Sequence, residues 1–187
     1  MANRAVFLDR DGVINRKAPE GQYITHWEDM EILSGVVEAI QQFGKAEFKV
    51  VVVTNQRCVA KGLLGEAELQ DLHLKLTELL ASRGAVIDAI YYCPHEKNAG
   101  CSCRKPAPGM LLTAAREHEI NLGESWMVGD SPSDLRAGKS AGCRTALVIS
   151  RRQSDEGVAK TPGLLEADLV AGSLLDAAQE ILRQARQ

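Results

Sequence analysis

The sequence contains few aromatic residues, no excess of basic residues and no long apolar run. Phe, Trp and Tyr make up 4% of its 187 residues, and the formal net charge is −3. Proteins that bind single-stranded nucleic acids use basic grooves with stacking aromatic side chains, so this composition disfavours a nucleic-acid partner. No apolar run approaches the roughly 18 residues of a membrane-spanning helix, and early charged residues leave no room for a secretory signal. We therefore expect a cytoplasmic protein without a membrane partner.

The length and the apolar pattern predict one α/β domain spanning residues 1–187. Short apolar runs alternate with segments of helical periodicity, which is typical of a mostly parallel, Rossmann-like, doubly wound sheet. The predicted strands are 5–9, 49–55, 89–93, 125–130, 144–150 and 167–172. The predicted helices are 36–45, 66–82, 108–118, 132–140 and 174–185, and the irregular stretches are 15–29, 57–65, 94–107 and 151–165. Since no exposed apolar stripe stands out, we expect a monomer.

Polar side chains gather where the predicted strands end. Asp9, Asp11, Thr54, Lys105 and Asp130 follow or close four separate segments. The carboxyl ends of parallel strands meet at one edge of the sheet, where ligands bind in this fold class. A single acid after a strand is often only a turn residue, but that explanation would have to hold in four segments at once.

These residue types suit chemistry on a phosphate group. Carboxylates are hard oxygen ligands for Mg²⁺, which commonly shares its coordination with substrate phosphate oxygens. Lys105, the Thr54 hydroxyl and backbone N–H groups of the DRDG turn can hold the phosphoryl oxygens. Asp9 is then a credible nucleophile, and Asp11 is placed to act as acid and base.

Cysteine is scarce, yet three of the five cysteines lie within residues 93–103 together with a histidine. Cys93, His95, Cys101 and Cys103 are a suitable tetrahedral ligand set for structural zinc. A regulatory disulfide and a redox sensor are the alternatives. We hypothesise that zinc orders the loop that leads to Arg104 and Lys105, because this loop has little apolar content of its own.

Four motifs in this order resemble those of the haloacid dehalogenase superfamily. They are FLDRDGVIN (7–15), VVVTNQ (51–56), RKPAPGM (104–110) and VGDSPSD (128–134). With CPH (93–95) and CSCRKPAPGML (101–111), the chain resembles the zinc-containing D,D-heptose 1,7-bisphosphate phosphatases and the related histidinol-phosphate phosphatases. The resemblance covers residues 4–150, and it implies a phosphoric monoester hydrolase.

The resemblance also implies the role of each site residue. Asp9 would form an aspartyl phosphate, and Asp11 would protonate the leaving oxygen and then activate water. Thr54 and Lys105 would hold the transferring phosphoryl group. Mg²⁺ would be bound by the Asp9 carboxylate, the Asp11 backbone carbonyl and Asp130. The implied reaction removes the 7-phosphate of D-glycero-D-manno-heptose 1,7-bisphosphate, in heptose biosynthesis for lipopolysaccharide. Asp134 is expected to orient its neighbours rather than to bind the metal.

The substrate is expected to lie in an open site. Many superfamily members carry a cap domain, but the segment between Asn15 and Val36 is too short for one. The candidate substrate-binding residues are Asn15, Thr54, Asn55, Gln56, Arg57, Arg104 and Lys105, with the 16–23 loop beside them. Close relatives tend to have Ser-Gly where this chain has Arg57 and Cys58. Arg57 could bind a second phosphate, or it could be a solvated surface residue.

Other functions stay open at this point. Histidinol phosphate or a broader range of small sugar phosphates could be the substrate. A zinc-bearing binding module without activity would be expected to have lost Asp9, Asp11, Lys105 or Asp130, and all four are present. The sequence does not indicate which heptose anomer is preferred.

Overall fold

The computed structural model describes residues 2–149 and 167–185. Within these ranges, the strands are β1 (Arg4–Leu8), β2 (Phe48–Asn55), β3 (Ala89–Cys93), β4 (Trp126–Gly129), β5 (Arg144–Val148) and β6 (Leu169–Ala171). They form one sheet in the order β3-β2-β1-β4-β5-β6, and each neighbouring pair is parallel. The predicted α/β class and the parallel sheet are confirmed.

The helices in the described ranges agree closely with the prediction. They are α1 (Val36–Lys45), α2 (Arg57–Ala60), α3 (Glu66–Ser82), α4 (Gly109–Glu117), α5 (Pro132–Ala141) and α6 (Leu174–Gln184), with 3-10 turns at Trp27–Asp29 and Leu122–Glu124. The predicted bounds of α1 and α3 are those observed, and the other predicted bounds differ by one residue at one or both ends. Pro132 begins α5, whereas Pro108 lies just before α4. The short helix α2 lies in a stretch predicted to be irregular.

The sheet is buried on both faces because its central strands contain continuous apolar runs, residues 5–8 of β1 and 50–53 of β2. In β1, Val6 and Leu8 pack on one side with buried residues of α1 and α6. Ala5 and Phe7 pack on the other side with buried residues of α4 and α5. Successive side chains of a strand point to opposite faces, so this continuous apolar run requires helices on both sides.

The segment between β1 and α1 contains only a 3-10 turn, and all of it is described, so no cap domain is inserted there. None of the helices in the described ranges has both the length and the apolar character needed to cross a membrane. The predicted irregular stretch 151–165 and the last residue of the predicted strand 144–150 lie outside the described residues.

Candidate active site

The predicted polar residues converge at the carboxyl edge of the sheet. Asp9 and Asp130 directly follow β1 and β4, Thr54 is near the end of β2, and Lys105 is on the segment that joins β3 to α4. A cavity of about 420 Å³ opens there, and these four residues and Asp11 line it. A larger groove of about 700 Å³ at the opposite edge of the sheet is lined by none of them. The chemistry is therefore concentrated in the smaller cavity.

Lys105 lies at the centre of the site, and its side chain is almost fully buried. Its Nζ is 2.8 Å from Asp9 Oδ1 and 2.6 Å from Asp134 Oδ1, and it donates to the Val53 carbonyl oxygen at 2.7 Å. Burial alone would lower the pKa of Lys105, but the Asp134 and Asp9 carboxylates together raise that pKa above its ordinary value. The ammonium group therefore stays charged and fixed next to the proposed nucleophile.

Asp9 sits in a crowded group of carboxylates. One carboxylate oxygen each of Asp9, Asp130 and Asp134 lies within 4.8 Å of the other two. Burial, assisted by the charges of Asp134 and Asp130, raises the pKa of Asp9 to about 7, although Lys105 acts in the opposite direction. Three acidic groups held this close, with Lys105 and Lys17 as the neighbouring cations, keep a deficit of positive charge that a divalent cation would satisfy.

The donor atoms of this group fit a magnesium ion. Asp130 Oδ1 is buried and has no hydrogen-bond partner among the described residues, while Asp130 Oδ2 accepts from Lys17 Nζ at 2.8 Å. The backbone passes very close, since a Cβ atom at Gly12 would lie 2.2 Å from Asp130 Oδ2, and Gly12 has a φ of 97°. Only glycine suits this position, where the chain turns beneath the carboxylates.

Asp134 is engaged by the protein itself. One of its oxygens binds Lys105 Nζ, and the other accepts from the Ser131 N–H at 3.1 Å and from the Ser131 hydroxyl at 2.6 Å. Asp134 thus has an ion pair but no hydrogen bond at Oδ1, and two hydrogen bonds at Oδ2. That it orients its neighbours stays a prediction. A Cβ at Gly129 would lie 2.1 Å from the Asp134 Cβ, so β4 and α5 meet closely here.

Asp11 is held by several donors below the cavity. Arg10 NH2 lies 3.1 and 3.0 Å from its two oxygens, Asn15 Nδ2 donates to Oδ1 at 2.9 Å, and Gln56 Nε2 donates to Oδ2 at 3.0 Å. Burial by itself would raise the pKa of Asp11, but Arg10 and the hydrogen bonds from Asn15 and Gln56 lower that pKa overall. Asp11 is therefore ionised in this arrangement.

Two predicted substrate-binding residues organise the site from within. Gln56 Nε2 also donates to Thr54 Oγ1 at 2.8 Å. Asn55 and the backbone of Lys105 exchange two hydrogen bonds, from Asn55 Nδ2 to the Lys105 carbonyl and from the Lys105 N–H to Asn55 Oδ1, both 3.1 Å long. Asn55 therefore fixes the backbone that carries the lysine.

The structure separates the other predicted substrate-binding residues. Arg104 lines the cavity, as do Lys17 and Lys97, which the sequence analysis did not single out. Asn15 is fully buried beneath the site. The structure does not bring Arg57 into the cavity, because its Nε is 2.5 Å from Glu96 Oε2 at the start of the cysteine-rich loop.

The four predicted zinc ligands come together at the end of β3. Cys93 Sγ lies 3.7 Å from Cys101 Sγ and 3.5 Å from His95 Nδ1, and His95 Nδ1 lies 3.2 Å from Cys103 Sγ. Zn–S bonds of about 2.3 Å in a tetrahedron place two sulfurs about 3.8 Å apart, so the set fits this ion. The sulfurs are too far apart for a disulfide, whose S–S bond is about 2.05 Å, and all five cysteines are free thiols.

Two residues beneath the site were missed by the sequence analysis as functional residues. Arg10 lies inside the DRDG motif but is fully buried, and His73 of α3 contacts it at 3.1 Å. The position of Arg10 between two aspartates was the sequence feature that could have indicated its role. For His73 no sequence pattern was informative, because helices bring histidines to surfaces and interiors alike.

The chain is similar to known proteins along nearly its whole length. The HAD-hydrolase-like family model matches residues 102–177. The D-glycero-beta-D-manno-heptose-1,7-bisphosphate 7-phosphatase of Pseudomonas putida is 40% identical over 171 residues, which cover 90% of this chain and 96% of that protein. The enzyme of the same name from Bordetella bronchiseptica is 37% identical over 185 residues, covering 97% and 99%.

The chain also matches solved structures of heptose bisphosphate phosphatases. The crystal structure of the D,D-heptose 1,7-bisphosphate phosphatase from B. bronchiseptica, complexed with magnesium and phosphate, superimposes with a TM-score of 0.84. Its sequence is 36% identical, and the match covers 97% of this chain and 99% of that one. The corresponding enzyme from Burkholderia thailandensis matches with a TM-score of 0.68 at 30% identity, covering 96% and 99%.

Proposed function

The chain belongs to the family of D-glycero-beta-D-manno-heptose-1,7-bisphosphate 7-phosphatases, and we propose that it removes the 7-phosphate of this heptose bisphosphate in a Mg²⁺-dependent reaction. It is a phosphatase of the HAD-like hydrolases. The observation that carries the proposal is the single cluster of Asp9, Asp130 and Lys105 at the sheet edge, in a chain that matches these enzymes over most of its length.

Asp9 is the proposed nucleophile. Its Oδ1 accepts from the Arg10 N–H at 2.8 Å and lies 2.8 Å from Lys105 Nζ. These contacts fix the carboxylate, so we assign the attack to Oδ2. In the first step the bond from Oδ2 to phosphorus forms while the bond from phosphorus to the sugar oxygen breaks. Because Asp11 is ionised in the free site, it must take up a proton from solvent when the anionic substrate binds, and it then donates that proton to the leaving oxygen.

Asp11 then acts as the base in the second step. It removes a proton from water, the water oxygen attacks phosphorus, and the Asp9–phosphorus bond breaks. Asp9 is then a free carboxylate again, and the proton on Asp11 returns to solvent when the phosphate leaves. Lys105 and the Thr54 hydroxyl are proposed to hold the phosphoryl oxygens during both steps. When bound by the Asp9 carboxylate, the Asp11 backbone carbonyl and Asp130, Mg²⁺ would neutralise charge on the phosphoryl group.

The proposed substrate contacts are Arg104 and the loop of residues 16–23, of which residues 17–23 line the cavity. Lys17 and Arg104 carry positive charge there, and this is suited to a substrate with a second phosphate. The names of the relatives specify the beta anomer, and we propose the same preference for this chain.

We further propose a structural zinc ion bound by Cys93, His95, Cys101 and Cys103. Three thiolates and one imidazole close a tetrahedral shell, so this zinc would not contact the substrate. Unpaired thiols in such a cluster suit the reducing cytoplasm, where we propose that the protein acts as a monomer. The negative net charge and the small cavity favour a small phosphorylated sugar over nucleic acid or a membrane.

The test is phosphate release with Mg²⁺ from the alpha and beta anomers of D-glycero-D-manno-heptose 1,7-bisphosphate and from histidinol phosphate. We expect the beta bisphosphate to have the highest kcat/KM and Asp9→Asn to release no phosphate above background, since it lacks the nucleophile. A preference for histidinol phosphate would move the protein to the related enzyme class with its mechanism intact. No release from any of the three would contradict the proposed function.

A further inference from the structure

Arg10 is a fully buried cation under the active site. It is the largest side chain in the structure's described part with no more than 2% exposure. A buried guanidinium requires partners for its donors, because an unpaired buried charge is strongly unfavourable. Arg10 has them: its Nε and NH2 lie within 3.3 Å of Asp11 oxygens, and NH2 also donates to Gln56 Oε1 at 3.2 Å.

His73 meets the other end of the guanidinium. It lies within α3 with 6% exposure, and its Nε2 is 3.1 Å from Arg10 NH1. An arginine can only donate hydrogen bonds, so Nε2 must accept and the imidazole must be the neutral tautomer with the proton on Nδ1. Burial, followed by the Arg10 charge, lowers the pKa of His73 to about 3 against the opposing effect of Asp11. The neutral form is therefore the one present near neutral pH.

The two contacts together fix the plane of the guanidinium. NH1 is held by His73, while NH2 and Nε face Asp11, and a planar group with both ends engaged cannot rotate freely. Gln56 closes the network, because its Oε1 accepts from Arg10 while its Nε2 donates to Asp11 and to Thr54. The carboxylate of Asp11 is thus placed by groups that are themselves held in place.

We propose that His73 is a positioning residue for the proton transfer by Asp11, acting through Arg10. The inference rests on the proposed function, in which Asp11 protonates the leaving oxygen. Helix α3 contributes no residue to the lining of the cavity, and the His73–Arg10 contact joins it to the group that holds Asp11. Neither His73 nor Arg10 touches substrate in this account; both act by setting the position of Asp11.

A purely structural role for His73 would have a different kinetic signature. A heptose phosphate has an alkoxide leaving group that needs a proton, whereas p-nitrophenyl phosphate has a leaving group that departs without one. The ratio kcat/KM reports the steps up to departure of the leaving group, so the later use of Asp11 as a base does not enter. A misplaced Asp11 therefore slows the sugar substrate selectively, while general loosening of the fold slows both substrates alike.

The experiment compares wild type, His73→Leu and His73→Gln on the heptose bisphosphate and on p-nitrophenyl phosphate. We expect His73→Leu to lower kcat/KM for the bisphosphate by about tenfold or more, which is part of the rate gain that general acid catalysis supplies. The kcat/KM for the aryl phosphate should change much less. His73→Gln keeps a hydrogen-bond acceptor and should restore most of the lost rate. If His73→Leu does not fold, His73→Met replaces it with the same expectation.

Equal losses on the two substrates, or no loss on either, would overturn the inference while leaving the proposed function in place. Failure of His73→Gln to recover any selectivity would overturn it as well. A wild-type protein that hydrolyses no sugar phosphate would contradict the proposed function itself, together with the inference that depends on it. The wild-type measurement separates these cases.

Discussion

Asp9 is a carboxylic acid that the fold shifts toward its neutral form, although its proposed role requires the ionised one. Burial and the neighbouring charges of Asp134 and Asp130 raise its pKa to about 7, and Lys105 only partly opposes them. A metal ligand must be deprotonated to bind, so metal and proton compete for this carboxylate. Mg²⁺ is therefore proposed to complete the site electrostatically as well as to contact the substrate.

This competition gives a pH prediction for the metal-free protein. Because the folded-state pKa of Asp9 is raised, the group carries a proton below about pH 7, and Mg²⁺ binding must release that proton. We expect the apparent Mg²⁺ affinity to fall as the pH decreases from about 8 to about 6. Isothermal titration calorimetry in buffers of different ionisation enthalpy measures both the affinity and the released protons.

Asp9→Asn is the matched control for that titration, since its amide does not titrate and should release no proton at this position. A Mg²⁺ affinity for wild type that is constant across the same pH range would contradict the raised pKa.

The positions of single site residues were predictable where the residue directly follows a strand. Asp9 and Asp130 follow apolar runs, and parallel strands end at one edge, so their meeting follows from the sequence. The contact of Arg10 with His73 joins residues 63 positions apart and depends on how α3 packs over the sheet end. Arginine side chains are usually exposed, so the residue type predicted an exposed Arg10. The ion pair of Arg57 with Glu96 was equally unpredictable from the sequence, because it depends on the path of the loop that follows Cys93.

At the scale of elements, the loop from Pro94 to Pro108 is held mainly at its ends. The Cys93 carbonyl accepts from the Gln56 N–H at 2.8 Å, and the Pro94 carbonyl accepts from the Ala60 N–H at 3.1 Å, so helix α2 anchors the start. The reciprocal pair between Asn55 and Lys105 anchors the end. Between these anchors, Arg57 pairs with Glu96 and Arg104 NH1 donates to the His95 carbonyl oxygen at 3.0 Å. We propose that zinc supplies further order that aims Lys105.

Removing one zinc ligand should therefore loosen the loop and slow catalysis. We expect Cys101→Ser to lose bound zinc, to exchange amide hydrogens faster across residues 94–105 than wild type, and to have a kcat/KM for the heptose bisphosphate lower by about tenfold or more. Exchange in α1 should stay unchanged, because it packs on the far part of the core. Metal analysis, hydrogen exchange and steady-state kinetics measure the three effects.

Cys143→Ser serves as the control, since Cys143 is a buried thiol outside the cluster and its replacement should keep the zinc. The zinc hypothesis would fail if Cys101→Ser lost its metal and kept the wild-type rate.

Helices with a clear hydrophobic period were predictable from the sequence, and the short helix α2 was not. Helices α1 and α3 have long amphipathic patterns, and their observed bounds are those expected from the sequence. Helix α2 has four residues, too few for any periodicity to appear. The parallel sheet followed from the alternation of strands and helices, whereas the order of its strands required the structure.

At the scale of the whole molecule, an acidic protein gathers four cationic side chains beside five acidic ones around one cavity. The chain has a formal net charge of −3, yet Lys17, Lys97, Arg104 and Lys105 all line the cavity. The cations are suited to the oxygens of a phosphorylated substrate, and Asp9 and Asp130 beside them are suited to the proposed Mg²⁺. No cap domain is inserted between β1 and α1, and residues 17–24 of that segment line the cavity.

The central claim is that Asp9 carries the phosphoryl group during turnover. The most direct measurement is acid quenching followed by borohydride reduction, which converts an aspartyl phosphate into homoserine, and peptide mass spectrometry to locate it. Two samples are compared: wild type during turnover of the heptose bisphosphate, and Asp11→Asn supplied with p-nitrophenyl phosphate. The variant lacks the base, so its aspartyl phosphate should be hydrolysed more slowly. We predict modification at position 9 in both proteins and none in Asp9→Asn. Phosphate release without modification at Asp9, or with modification at another residue, would contradict it.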